Sequence, residues 1–193
     1  VRHLLYIPKV QRSQFAHIPL PKSYRIRESV SQHMLSGSNI ALHFARSNKS
    51  NTIDHFFISR YPSDLKAVER TTGSVFAPLY RCTEDDGFQS NLDPRIIDNV
   101  SEILKQKCTP IELIHYIYAI LYSPIYRKEN QAQLRIDFPI IPYPKDLLHF
   151  QRLQKLGKEL CLLQLLEHPM LSNTPNRFPC TGSNIVEKIR YSE

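Results

Sequence analysis

The sequence predicts an α+β domain, a mixed strand-and-loop region followed by a helical scaffold that contains one long helix. Three observations predict it. Up to residue 92 short strands, one of them with apolar residues alternating at a period of two, and proline-punctuated loops predominate, whereas from residue 93 capped segments of helical period follow one another. From 146 to about 168 the helical pattern runs without a break. The 193 residues are 41% hydrophobic and 22% charged, a globular composition. A chain of this length buries roughly 70% of its unfolded surface, enough for a core without disulfides or metal.

Residues 1–25 hold Pro8, Pro19 and Pro21 among arginines, lysines and aromatics, which predicts short strands and extended loops. A short amphipathic helix is expected over 26–36, where Ile26, Val30 and Met34 share a face and Gly37 serves as C-cap. In SNIALHFAR, 38–46, Ile40, Leu42 and Phe44 alternate with Ala41, His43 and Ala45, a strand buried on one face and small or lightly polar on the other. A polar loop leads to a second strand at 55–59. VFAPLYRC, 75–82, is the third, placed at an edge or bulge by Pro78.

Asp93-Pro94 opens a helix to about Lys105, with aspartate as N-cap and proline in the first turn. Thr109-Pro110-Ile111-Glu112 has the form of a capping box, and the helix it opens, 111–122, is apolar nearly all round, as a buried central helix should be. Ser123-Pro124 ends it and starts another to about Gln133. LRIDFPIIPYPKD, 134–146, predicts a stiff extended connector through Pro139, Pro142 and Pro144. In the long helix Leu153, Leu156, Leu160 and Leu163 form a 3-4-3 packing seam. Residues 169–184 read as loop and 185–191 as a closing strand. The units expected are therefore a basic strand-rich part (1–92), a helical scaffold (93–168), and a loop with its closing strand (169–193). Val1 in place of methionine suggests a domain cut from a longer polypeptide.

Twenty-five Lys/Arg oppose 18 Asp/Glu, a net charge of +7. The excess lies entirely before residue 82, where twelve basic residues face four acidic ones. Such asymmetry points to a negative partner, most often nucleic acid. Candidate contacts are Arg2, Arg12, Arg25, Arg27, Arg46, Arg60, Arg70 and Arg81, with Asn48, Lys49 and Asn51 in the polar loop after Arg46. Arginine can read guanine and asparagine adenine through paired hydrogen bonds, while lysine suits a phosphate.

Other chemistries lack carriers. No phosphate-binding glycine loop, HExxH or GxSxG is present, and no CxxC pair marks a zinc site. Cys82, Cys108, Cys161 and Cys180 read as reduced thiols. Asp54, Asp64 and Lys66 fit loosely a metal-nuclease pattern, the rival reading, and a protein-interaction module is another. His115, in the apolar helix, is expected as a hydrogen-bonded core residue. No stretch approaches the roughly 20 apolar residues of a membrane span, so a cytoplasmic protein without membrane contact is expected.

HYIYAILYSPIYR at 115–127, followed by LRIDFPIIPYPKD, resembles a block of single-chain restriction–modification enzymes, the type ISP group and related type IIG-like adenine methyltransferases. That family carries a "YIYA(I/V)LHSPxYR" helix pair, an "L(K/R)IDFPRIPFP" connector and a long helix ending in "LGKELxxLHLL", here from Leu156-Gly157-Lys158-Glu159-Leu160. Arg2 stands where the family has the arginine of "FDxR", and SNIALHFAR is similar to "(E/D)NIGL…R". DHFFISR (54–60), VFAPLYRC and RFPCTGSNIVEKIRY (177–191) resemble its "HxFIT", "FPLYLY" and "G(D/N)NxVEKVRY" stretches. Ala77 interrupts the usual "FPLY", and His43 replaces a small or apolar residue. The resemblance implies a target-recognition domain that binds double-stranded DNA, itself without catalytic residues, metal or cofactor. It also implies an upstream methyltransferase domain in the same polypeptide, with the NPPY-type loop and S-adenosylmethionine site there.

Overall fold

A computed structural model describes residues 31–35, 38–50, 52–62, 67–68, 73–83 and 87–173. The expectations for 1–25, most of the 26–36 helix with its Gly37 cap, and the closing strand at 185–191 lie outside the described residues. At 32–34 the chain forms a short 3-10 helix, Gln32–Met34.

Three strands form an antiparallel sheet with β1 (Ala41–Ala45) between β2 (Phe57–Ser59) and β3 (Ser74–Pro78). Leu42 lies opposite both Ile58 and Ala77. β1 is buried at all five positions, so the expected half-polar face is absent. Its one polar residue is accommodated inside. His43 places Nε2 2.7 Å from Ser59 Oγ, which itself donates to the Tyr61 carbonyl, and the ring meets Phe76 edge-on at 4.7 Å. Burial pushes the His43 imidazole down to about 4, so it is neutral near pH 7.

The strand expected at 75–82 is two strands in two sheets. β3 ends at Pro78 on the sheet edge, where no ladder donor is required. Leu79 N then donates to Ile40 O (2.8 Å) and its carbonyl accepts from Asn91 N (2.8 Å). Past this pivot, β4 (Tyr80–Cys82) pairs with β5 (Phe88–Ser90), a strand that the polar sequence around it did not predict. Buried Asn39 fastens the pivot, donating to His33 O and Tyr80 O and accepting from Ile40 N and Tyr80 N.

The helices begin where their caps predict. In α1 (Pro94–Leu104) the Asp93 carboxylate accepts from Arg95 N, and Lys105 closes the helix at φ 53°. In α2 (Pro110–Tyr122) the capping box forms: Thr109 Oγ1 accepts from Glu112 N, and Glu112 Oε2 from Thr109 N. Every residue from Leu113 to Leu121 is buried. The next helix divides at Asn130 into α3 (Pro124–Glu129) and α4 (Gln131–Ile136). The extended connector therefore starts three residues later than expected. Tyr116 Oη and Tyr126 Oη donate to the carbonyls of Pro142 and Ile140, each at 3.0 Å, and pin it to α2 and α3.

The long helix is α5 (Leu147–Gln164). Its expected leucine seam is half realised: Leu153 and Leu160 pack against the core, Leu156 and Leu163 are 58% and 38% exposed, and the fully buried positions are Phe150, Gly157 and Cys161. Gly157 sets this phase. A Cβ there would lie 1.8 Å from His115 O, so α5 approaches the backbone of α2 at a point where only glycine fits. His115 is buried beside this crossing, as its place in the helix predicted, although Nδ1 has no hydrogen-bond partner among the described residues.

Candidate nucleic-acid interface

The connection from β1 to β2, residues 46–56, carries the described part of the predicted contact loop. Arg46 leaves the sheet at the end of β1 and is largely exposed. Its Nε donates to Asp137 Oδ1 at 3.2 Å, and its guanidinium lies 5.8 Å from the centre of the Phe138 ring. Lys49, Ser50, Thr52 and Asp54 are exposed, and Asn51 lies outside the described residues.

Asn48 is placed otherwise than expected. It is 2% exposed, and both ends of its amide are engaged. Oδ1 accepts from Ser50 N and Ser50 Oγ (2.6 Å each), an Asx turn, while Nδ2 donates to Thr52 O (3.1 Å) and to His55 Nδ1 (2.5 Å). Asn48 N donates to Arg135 O at 3.3 Å, tying the loop to the last turn of α4. An asparagine so placed shapes the loop from within and has no free amide edge to offer a base.

The far end of the loop is equally fixed. Ile53, His55 and Phe56 are buried. Arg127 of α3 stacks on Tyr122 (4.7 Å) and Phe56 (5.7 Å), with Nε donating to Leu121 O. Burial lowers the Arg127 pKa, and Asp54 and the neighbouring tyrosines oppose that shift. The loop is thus a short exposed tip between two buried pegs, with Lys49 at the tip.

Arg60, at the end of β2, makes a two-pronged pair with Glu167, just past α5; Nη2 to Oε2 is 2.8 Å and Nη1 reaches Ser38 O at 3.4 Å. The hydrogen bond raises the Arg60 pKa and holds the Glu167 carboxyl below its usual range. Arg81 reaches Gln89 across the second sheet at 3.5 Å. Arg2, Arg12, Arg25, Arg27 and Arg70 lie outside the described residues. The structure therefore leaves Arg46 and Lys49 exposed on the same loop and engages Asn48 and Arg60 with other residues of the fold. Sequence reasoning missed Asp137, Phe138 and Glu167. Asp137 stood in a stretch read only as connector, and Glu167 had no local signal.

The rival nuclease set does not gain support. Asp64 and Lys66 lie outside the described residues, and Asp54 accepts from Thr52 Oγ1. Among the described residues no group of three or more His, Cys, Asp or Glu is arranged to hold a metal. Cys108 and Cys161 are buried free thiols, which burial pushes to about 11 and 12, and Cys82 is exposed. No described helix is long and apolar enough to cross a membrane.

The sequence pattern of the Type ISP C-terminal specificity domain matches residues 1–193. The chain belongs to that family. No curated protein matches it. Among solved structures this specificity domain is similar to part of the DrdV–DNA cryo-EM complex, with a TM-score of 0.61 and 22% identity over 72% of this chain and 13% of that one. It is also similar to part of the ATP-dependent Type ISP restriction–modification enzyme LlaBIII bound to DNA, with a TM-score of 0.53 and 21% identity over 66% and 8% of the two chains. Both likenesses concern the fold, an α+β arrangement as the sequence predicted. The specificity domain spans only a small part of either neighbour.

Proposed function

We propose that this specificity domain selects the double-stranded DNA sequence on which a restriction–modification enzyme acts. The single observation that carries the reading is membership of the Type ISP specificity family across all 193 residues. The basic imbalance of the strand half and the rigid, exposed loop bearing Arg46 and Lys49 support it. Arg46 reads a base edge, Lys49 meets phosphate, and Arg2, Arg12, Arg25, Asn51 and Arg70 extend the contact surface. Asn48 and Arg60 hold that surface in shape.

The enzyme it serves is an adenine-specific DNA methyltransferase of the cytoplasm. Its catalytic part lies upstream in the same polypeptide and uses S-adenosylmethionine there. The helical half docks onto that part, which suits its near-neutral charge and its buried Tyr116 and Tyr118. In this arrangement the specificity domain contributes affinity and register through phosphate contacts and sequence choice through base edges, and no bond-making step.

Binding of the intact protein to duplex DNA at 50 and 200 mM salt tests the reading. Six or more phosphate contacts predict a fall in affinity of about a thousandfold or more between the two. Salt-insensitive binding to a protein partner with no DNA affinity would refute it.

A further inference from the structure

The Arg46 guanidinium is held from one side. Asp137 takes Nε, the Phe138 ring lies beneath it, and no other hydrogen bond from Arg46 is made by the described residues. The two terminal nitrogens have no hydrogen bond among the described residues, while Asp137 and Phe138 bias the plane of the fork. Asp137 is itself fixed, since Oδ1 also accepts from Phe138 N at 2.9 Å. The strand end cannot drift from this cradle, because Asn48 N donates to Arg135 O two residues before Asp137.

We infer that Asp137 is a positioning residue for base recognition, presenting the Arg46 fork to a guanine edge; this rests on the DNA-binding reading above. The geometry suits the task. Guanine offers O6 and N7 side by side in the major groove, and an arginine whose plane is already set meets both with its terminal nitrogens. A free arginine would have to freeze that plane on binding, and preorganisation removes the loss. Both side chains are more than half exposed, which keeps the pair itself weak and the fork accessible to a ligand. The inference places a helical-half residue at the interface that charge assigned to the strand half.

The test is selection of preferred sites from a randomised duplex pool by the intact protein and its Arg46→Ala, Arg46→Lys and Asp137→Asn variants, with thermal melting as the folding control. Asparagine keeps an oxygen for Phe138 N–H, so the fold should survive. The expected result is that all three variants lose preference at the same guanine position, Asp137→Asn by about fivefold. Asp137→Asn should leave preference at the other positions unchanged, whereas a merely structural role would lower affinity evenly across the pool. If Arg46→Ala relaxes one position and Asp137→Asn leaves it unchanged, the positioning role is wrong. An even loss of affinity across the pool in the Arg46 variants would place Arg46 on phosphate and overturn the inference while leaving DNA binding intact. No change in any variant, with salt-sensitive DNA binding retained, would remove this loop from the interface. Absence of DNA binding in the unmodified protein would instead refute the parent reading.

Discussion

Replacing Gly157 by alanine is a severe test of the packing that supports the site. The added Cβ would sit 1.8 Å from His115 O, 2.6 Å from His115 C and 3.2 Å from Ala119 N. A carbon approaches a carbonyl oxygen to about 3.3 Å at closest, so α5 must retreat from α2 by roughly 1.5 Å. The obstacle is helix backbone, which cannot rotate aside as a side chain could. Two effects compete. Alanine favours the helix over glycine by about 1 kcal/mol. Against this, a gap of even 0.5–1 Å forfeits about a quarter to a half of each dispersion contact along the seam, where Phe150 stacks on Tyr116 at 5.3 Å and Cys161 is buried. Overpacking of this kind typically costs about 1–3 kcal/mol, occasionally more, and a backbone clash belongs at the upper end, so a net loss of about 2 kcal/mol is expected. Urea unfolding followed by circular dichroism measures it. A neutral or stabilised Gly157→Ala would mean that propensity wins and that α5 does not touch α2 at this point.

Asn48→Ala should destabilise the protein by about 1–3 kcal/mol in the same assay, since it strips partners from Ser50, Thr52 and His55; its DNA affinity should fall, and unchanged stability would return Asn48 to the list of surface readers. Burial holds folded His43 near 4 against about 6.5 unfolded, so between those values the unfolded chain binds the extra proton and stability falls as pH drops. This contribution is complete above pH 6.5, and about 2 kcal/mol of it is lost by pH 5; urea unfolding at pH 7 and 5 should show a smaller difference in His43→Gln. Arg60→Ala should lower stability by no more than about 1 kcal/mol, because its pair with Glu167 is partly exposed. The salt dependence of its DNA binding should stay unchanged, and a shallower slope would show that Arg60 meets phosphate.

What was legible in the sequence is what local chemistry encodes. Asp93, Thr109 with Glu112, Ser123 and Asp146 each accept the backbone hydrogen bond that their helix start requires, and a cap is complete within four residues. Pro78 at an edge is equally local. What was illegible depends on partners distant in sequence. The split of 75–82 at Leu79 is made by Ile40 and Asn91, which the apolar run cannot announce. The phase of α5 follows a single glycine opposite α2, so of four leucines in register only Leu153 and Leu160 pack against the core, while Leu156 and Leu163 are exposed. At the site, the charge excess pointed to Arg46 and Lys49, and the fold leaves both exposed, whereas the chemistry of Asn48 carries no sign of its burial. Residue type states what a side chain can bond, and only the fold states which of those bonds remain open.

The division at residue 92 between a basic recognising part and a neutral scaffold came from charge, and charge is silent about rigidity. The contacts that fix the loop run across that line: Arg46 to Asp137, Asn48 to Arg135 and Arg127 onto Phe56. Arg60 to Glu167 fastens the strand at the loop's far end in the same way. The two ion pairs supply little alone, since exposed pairs contribute less than about 1 kcal/mol. Their effect is on entropy, because a loop pegged at both ends has few conformations left to surrender when a duplex arrives. A recognition surface needs variable tips and constant placement. In this domain exposed Lys49 is free to change without disturbing the core, while Asn48, Asp137 and Arg127 set where any replacement would point. On the proposed reading the helices bear on sequence choice without themselves being basic, Asp137 through its hold on Arg46 and Arg135 through its hold on Asn48.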